Sequence, residues 1–164
     1  MRLAMPLKIG GLEMKGPKEV LIVIPRDDHD IPFKFIAVND DSEFHKICPE
    51  PTPPMAIKPG EGKVAKYDDP GYKAALGLYA EQRESWYVLK SLEPSKIEWL
   101  TIRMDDPKSW VNWRTELKEA GFSVMEIQLI YSKFLEANMV TEQMLRQARE
   151  RFLASQQADL STKQ

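Results

Sequence analysis

The sequence predicts an α+β fold: a small N-terminal antiparallel β-sheet or hairpin, a proline-rich extended arm and a C-terminal cluster of about four helices. Three observations predict it. Two apolar, β-rich runs, Val20–Ile24 and Pro32–Val38, are separated by the turn residues Pro25–Asp30. Five prolines fall between positions 49 and 59. Behind them, apolar residues recur at three- and four-residue steps between helix start and stop signals. These features divide the chain into a β region (1–47), a proline-rich arm (48–66), a helical domain (67–154) and a flexible tail (155–164).

The front reads as antiparallel strands joined by a polar turn, because Asp, Asn and Pro punctuate the two runs. Phe33 and Phe35 alternate with Lys34, which predicts one packed face and one wet face. A segment near Leu3–Ile9 is a candidate third strand. Next comes Cys48-Pro-Glu-Pro-Thr-Pro-Pro54, continuing to Pro59-Gly60. Each proline fixes φ and removes an amide donor, so the stretch is expected to be an extended lace on the surface rather than a helix or a central strand. A stiff segment of this kind reaches for a neighbour with little ordering entropy to lose.

Asp68-Asp69-Pro70 is a helix start: a carboxylate accepts orphan amides, and proline follows where its missing N–H costs nothing. Tyr72, Ala75, Leu76, Tyr79, Trp86 and Leu89 then form one helical stripe, which Pro94 ends. Ile97–Ile102 is an extended link. The triplet recurs at Asp105-Asp106-Pro107 and predicts a second helix carrying Trp110, Trp113 and Leu117, stopped by Gly121. Ser123 and Glu126 form a capping box for a third helix with Val124, Ile127, Tyr131 and Phe134 inward and Asn138 at its end. Thr141 caps a fourth, bearing Met144, Leu145, Ala148 and Phe152. Beyond Ser155 there is almost nothing to bury, and a frayed tail is expected.

Composition excludes several functions. At 164 residues the chain supports one core, and its formal net charge of −2 sets up no field that would recruit nucleic acid or an anionic membrane. Between Pro107 and Gln156 seven Lys and Arg face six Asp and Glu, too even a balance to grip phosphates. The longest apolar run, Val20–Ile24, is too short to span a bilayer, and Met1–Pro6 lacks the apolar stretch of a secretory signal. One cysteine, Cys48, agrees with a reducing compartment. The protein is therefore expected to be soluble and cytosolic.

No catalytic chemistry stands out. Asp27-Asp28-His29-Asp30 has cation-ligating residue types but reads as a polar turn, since adjacent side chains diverge. His45 and Cys48 are three apart, but a structural zinc needs four ligands and the only other histidine is His29. Cys48 with His45 as its base lacks an identifiable orienting group. Gly10-Gly11 and Pro59-Gly60-Glu61-Gly62 match no phosphate loop. The tryptophans read as core anchors rather than a base-stacking platform. Helix, glycine turn and helix around Gly121 also opens DNA-reading and ubiquitin-associated-type domains. The charge balance leaves the protein-interaction version.

As a set, Cys48–Pro54, Lys58-Pro-Gly60, Tyr67-Asp-Asp-Pro-Gly-Tyr72, the Trp86 helix, Asp105-Asp-Pro107 with Trp110 and Trp113, and Ala120-Gly-Phe-Ser-x-x-Glu-Ile127 resemble small tail-assembly proteins of tailed bacteriophages, chaperone-like ones among them. The resemblance covers roughly residues 40–154, and its motifs are caps and turns. It implies a non-enzymatic role in the host cytoplasm, binding the tape-measure protein or tail-tube subunits, with no cofactor, metal, nucleic acid or membrane involved. Expected contact residues are Pro51, Pro53, Pro54, Met55 and Ile57 in the lace. Tyr79, Trp86, Trp110 and Phe134 are either contacts or core. The alternatives are a minor structural virion protein of the tail or connector, and a host-directed regulatory module.

Overall fold

The computed structural model describes residues 5–163, and its architecture is α+β as expected. The central sheet pairs β3 (Glu19–Pro25) with β4 (Asp30–Ile36) in antiparallel register, Val20 opposite Phe35 and Ile24 opposite Ile31. Strand alternation sends Val20, Ile22, Ile24, Ile31, Phe33 and Phe35 to the packed face. Glu19, Leu21, Val23 and Lys34 point the other way. A separate miniature hairpin, β1 (Lys8–Ile9) with β2 (Leu12–Glu13), precedes it. The expected third strand near Leu3–Ile9 is therefore no part of the central sheet, and its residues Leu3 and Ala4 lie outside the described region.

The arm departs from expectation. Residues 49–54 have no regular structure, but Met55–Lys58 (β5) and Gly62–Ala65 (β6) fold back on each other as a hairpin. The prolines flank these strands instead of interrupting them. Pro59 sits in the turn, and Pro54, which has no amide donor, still offers its carbonyl to Lys66 N at 2.8 Å. A short helix before the arm, α1 (Ser42–Ile47), was not expected. Its signal was the three-residue step from Phe44 to Ile47, with Cys48 next on the same face.

Helix α2 (Pro70–Ser91) starts as its triplet dictates, Tyr72 N donating to Asp69 Oδ2 at 2.9 Å. Only its second half is deeply packed: Trp86, Val88 and Leu89 are buried, whereas Tyr72, Ala75, Leu76 and Tyr79 are half-exposed. A 3₁₀ turn (Glu93–Ser95) containing Pro94 follows. The expected second helix is two, α3 (Pro107–Trp110) and α4 (Trp113–Glu119). Between them the backbone tightens to i→i+3 bonds, Ser109 N to Asp106 O and Asn112 N to Ser109 O, both 3.1 Å. That pitch eclipses residues three apart and lets both Trp110 and Trp113 point into the core.

Gly121, at φ 105°, ends α4 in a left-handed turn closed by Phe122 N to Leu117 O and Gly121 N to Lys118 O. The capping box forms as expected, Glu126 N donating to Ser123 Oγ at 3.1 Å and Ser123 N to Glu126 Oε1 at 3.0 Å. It starts α5 (Val124–Asn138), which buries Ile127, Ile130, Phe134 and Ala137 against the sheet, α2 and α4. Val124, expected inward, is 67% exposed, because its position in the first turn faces away from that stripe.

Helix α6 (Glu142–Thr162) differs most from expectation. Thr141 caps it through Met144 N, and it continues through the segment expected to fray. Ala, Gln, Arg, Glu and Leu are good helix formers, and from Glu142 to Thr162 neither Pro nor Gly interrupts them. Yet every residue of α6 is at least partly exposed, so Leu145, Ala148 and Phe152 do not join the helical cluster.

Candidate protein-binding site

Of the four helix residues read as either contacts or core, three lie in the core. Trp86 is 1% exposed and Trp110 fully buried, and Phe134 lies in the same cluster. Phe44 of α1 is the hub: its ring sits 5.7 Å from Trp86, 6.0 Å from Trp110 and 5.6 Å from Tyr79. Trp110 Nε1 donates to Arg103 O at 3.0 Å, which gives a buried indole its needed partner. Burying such side chains is worth about 1.5–3 kcal/mol each, which explains why the fold keeps them inside. Tyr79 is half-buried against this hub.

The arm residues fare differently. Pro51 and Pro53 are half-buried, while Pro54, Met55 and Ile57 are exposed, the last at 80%. Met55 and Ile57 lie on β5, and Pro54 immediately precedes it. On the central sheet, Leu21 and Val23 form an exposed apolar patch on the outer face of β3. The amides and carbonyls of Glu19, Leu21 and Val23 point away from β4, and among the described residues they have no hydrogen-bond partner. The far edge of β4 is closed, because Ser95 Oγ accepts from Lys34 N and donates to Lys34 O, both at 2.8 Å.

A groove of about 550 Å³ opens between the start of β4, the 97–102 link and the end of α4. Phe33 and Phe122 meet edge to face at 5.4 Å in its wall, and Ile31, Trp99 and Leu100 extend it. The link holds its shape through Glu116, whose carboxylate accepts from Leu100 N (2.5 Å), Thr101 N (3.3 Å) and Thr101 Oγ1 (2.9 Å). With its amide so anchored, Leu100 projects into solvent at 88% exposure. Sequence reasoning missed this groove. The signal was the adjacent pair Trp99-Leu100, since two neighbouring apolar side chains of an extended link cannot both face the core.

The ionisable groups are dispersed. His29 contacts Asp28 at one end of the sheet, whereas His45 on α1 contacts Asp41 at 3.2 Å. Asp41 also accepts from the Tyr87 hydroxyl at 2.5 Å. That hydrogen bond, with His45 adding to it, holds the Asp41 carboxyl below the usual range. Burial, then the Asp41 contact, pushes the Tyr87 phenol up. Cys48 is buried, and its thiol donates to Gln82 Oε1 at 3.4 Å. Burial raises its pKa and keeps it protonated, opposite to what a nucleophile needs. Among the described residues no three His, Cys, Asp or Glu side chains gather as a metal-binding group, and no helix is long and apolar enough to cross a membrane.

Compared with family models, curated proteins and solved structures, the chain matches none of them.

Proposed function

We propose that this chain is a non-enzymatic assembly protein that binds other polypeptides, acting in the host cytoplasm as a tail-assembly chaperone for the tape-measure protein or tail-tube subunits of a bacteriophage. The phage setting rests on the resemblance of its cap and turn motifs. The binding role rests on one observation: large apolar side chains stand exposed on α6, on the outer face of the central sheet and on the arm hairpin. Phe152 and Leu160 lie on α6, Leu21 and Val23 on the outer face of β3, and Met55 and Ile57 on the arm hairpin. Such surfaces mark partner sites. An amphipathic helix or an extended segment of a partner fits them by helix packing and by strand addition.

Co-expression with each neighbouring tail gene product, followed by size-exclusion chromatography, tests the proposal. Co-elution with the tape-measure or tube protein is expected, as is detection of the chain in lysates but not in purified particles. Failure to co-elute with any tail protein would overturn it.

The free edge of β3 favours a second reading, in which the chain stays in the particle as a minor tail or connector subunit joined by sheet augmentation. Recovery from purified virions at fixed stoichiometry would select that reading.

A further inference from the structure

The two edges of the central sheet are finished differently. On β4 the outward positions are Pro32, which has no amide, and Lys34, whose amide and carbonyl both bond Ser95 Oγ. On β3, Lys18 O accepts from Ala37 N, so the even-numbered residues bond to β4 and the odd-numbered Glu19, Leu21 and Val23 turn their N–H and C=O groups outward. From Glu19 to Val23 there is no proline, no lysine and no break in register, the usual devices that keep another strand away.

This row is complementary to itself. Pro17 and Pro25 bound it four residues to either side of Leu21, leaving three residues with an amide to give. A second copy laid antiparallel with its own Leu21 opposite pairs Leu21 with Leu21, Glu19 with Val23 and Val23 with Glu19, two hydrogen bonds for each pair. Pro17 of each copy then meets Pro25 of the other, so the positions that cannot donate fall opposite each other. The Pro25 carbonyl already accepts from Arg26 Nη1 at 3.1 Å. Charge agrees with this register. Glu19 faces a valine, while Lys15 and Asp27, both exposed and six residues to either side of Leu21, come to the same end of the pair. Parallel in-register pairing would set each of these three charges against its own copy. On the outer face Leu21 and Val23, 59% and 52% exposed, join their counterparts in one apolar stripe.

We infer that two copies of this chain associate edge to edge through β3, antiparallel about a two-fold axis at Leu21, making one four-stranded sheet. The contact uses no tail protein, so it goes beyond the chaperone reading and stands or falls separately from it. A strand edge of this length buries less than about 1,200 Å² in total, the range of weak association.

Sedimentation velocity on the full-length chain alone, from about 1 μM to about 1 mM, tests this. A monomer–dimer equilibrium is expected. The axis passes through Leu21, so Leu21→Lys and Leu21→Glu each bring two like charges face to face and should each weaken the dimer about tenfold or more, with circular dichroism unchanged at this exposed position. Mixing the two variants should restore association, because lysine then faces glutamate across the axis. A chain that stays monomeric throughout the series would overturn the inference, including one that associates only once a tail protein is added. So would a dimer that neither variant weakens, or a mixture that associates no better than each variant alone.

Discussion

Arg26, just past β3, and Glu126, in the first turn of α5, are a hundred residues apart in sequence and form a two-pronged ion pair. Nη1 donates to Oε2 at 2.6 Å and Nη2 to Oε1 at 3.1 Å. The same carboxylate closes the capping box by accepting from Ser123 N. Arg26 also lies over the Phe122 ring, 5.1 Å from its centre. One glutamate thus starts a helix and fastens it to the sheet.

Acid should loosen this fastening within a defined window. The hydrogen bond from Arg26, then that from Ser123 N, lowers the Glu126 pKa from 4.5 to about 2. The folded state therefore keeps a charge that the unfolded chain loses at its ordinary value. The contribution is complete above pH 4.5 and disappears as pH falls towards 2. Urea midpoints measured from neutral pH downwards should show a wild-type decline through this window. Glu126→Gln should start less stable and decline less; an identical slope would refute the assignment.

Ser123→Ala removes the other half of the box and should cost about 1 kcal/mol in urea unfolding. The loss should be independent of acid above pH 4.5, because the serine does not titrate.

Asn138 ties three elements together. Its Oδ1 accepts from Val38 N at 2.8 Å, and its Nδ2 donates to Ser91 Oγ and Phe134 O. Ser91 Oγ in turn donates to Ile36 O at 2.8 Å. Asn138→Ala should cost about 2 kcal/mol and speed hydrogen exchange at the Val38 amide. Asn138→Asp keeps the acceptor and should protect that amide better than alanine does.

Phe44→Ala empties the centre of the aromatic cluster and should cost about 3–5 kcal/mol, with a change in tryptophan emission. A loss below 1 kcal/mol would mean that α1 only decorates the core.

Cys48 should resist an aromatic disulfide reagent in the native protein and react as urea exposes it, because its thiol is buried and held protonated. Native reaction at the rate of a free thiol would contradict its placement.

Local chemistry was legible in the residues themselves. Asp69-Pro70, Asp106-Pro107, Ser123 with Glu126, Thr141 and Gly121 each act within four residues of themselves, so their helix ends could be read before any fold was known. The Phe33-Lys34-Phe35 alternation likewise assigned a packed and a wet face.

What stayed hidden depends on distant partners. Capping signals at Thr141 announce a helix but carry no information on whether Phe152 finds a surface to cover, and in the fold it stays 59% exposed. Prolines rule out central strands, but whether Met55–Lys58 pairs depends on Gly62–Ala65 returning beside it. The groove exists only because Glu116 of α4 pins Leu100 and Thr101 from another segment. Amino-acid order by itself determined where α2, α3, α5 and α6 begin, where α4 stops and which strand face is apolar. Tertiary structure alone decided which apolar residues became core and which remained exposed, because burial is settled by long-range geometry and not by local periodicity.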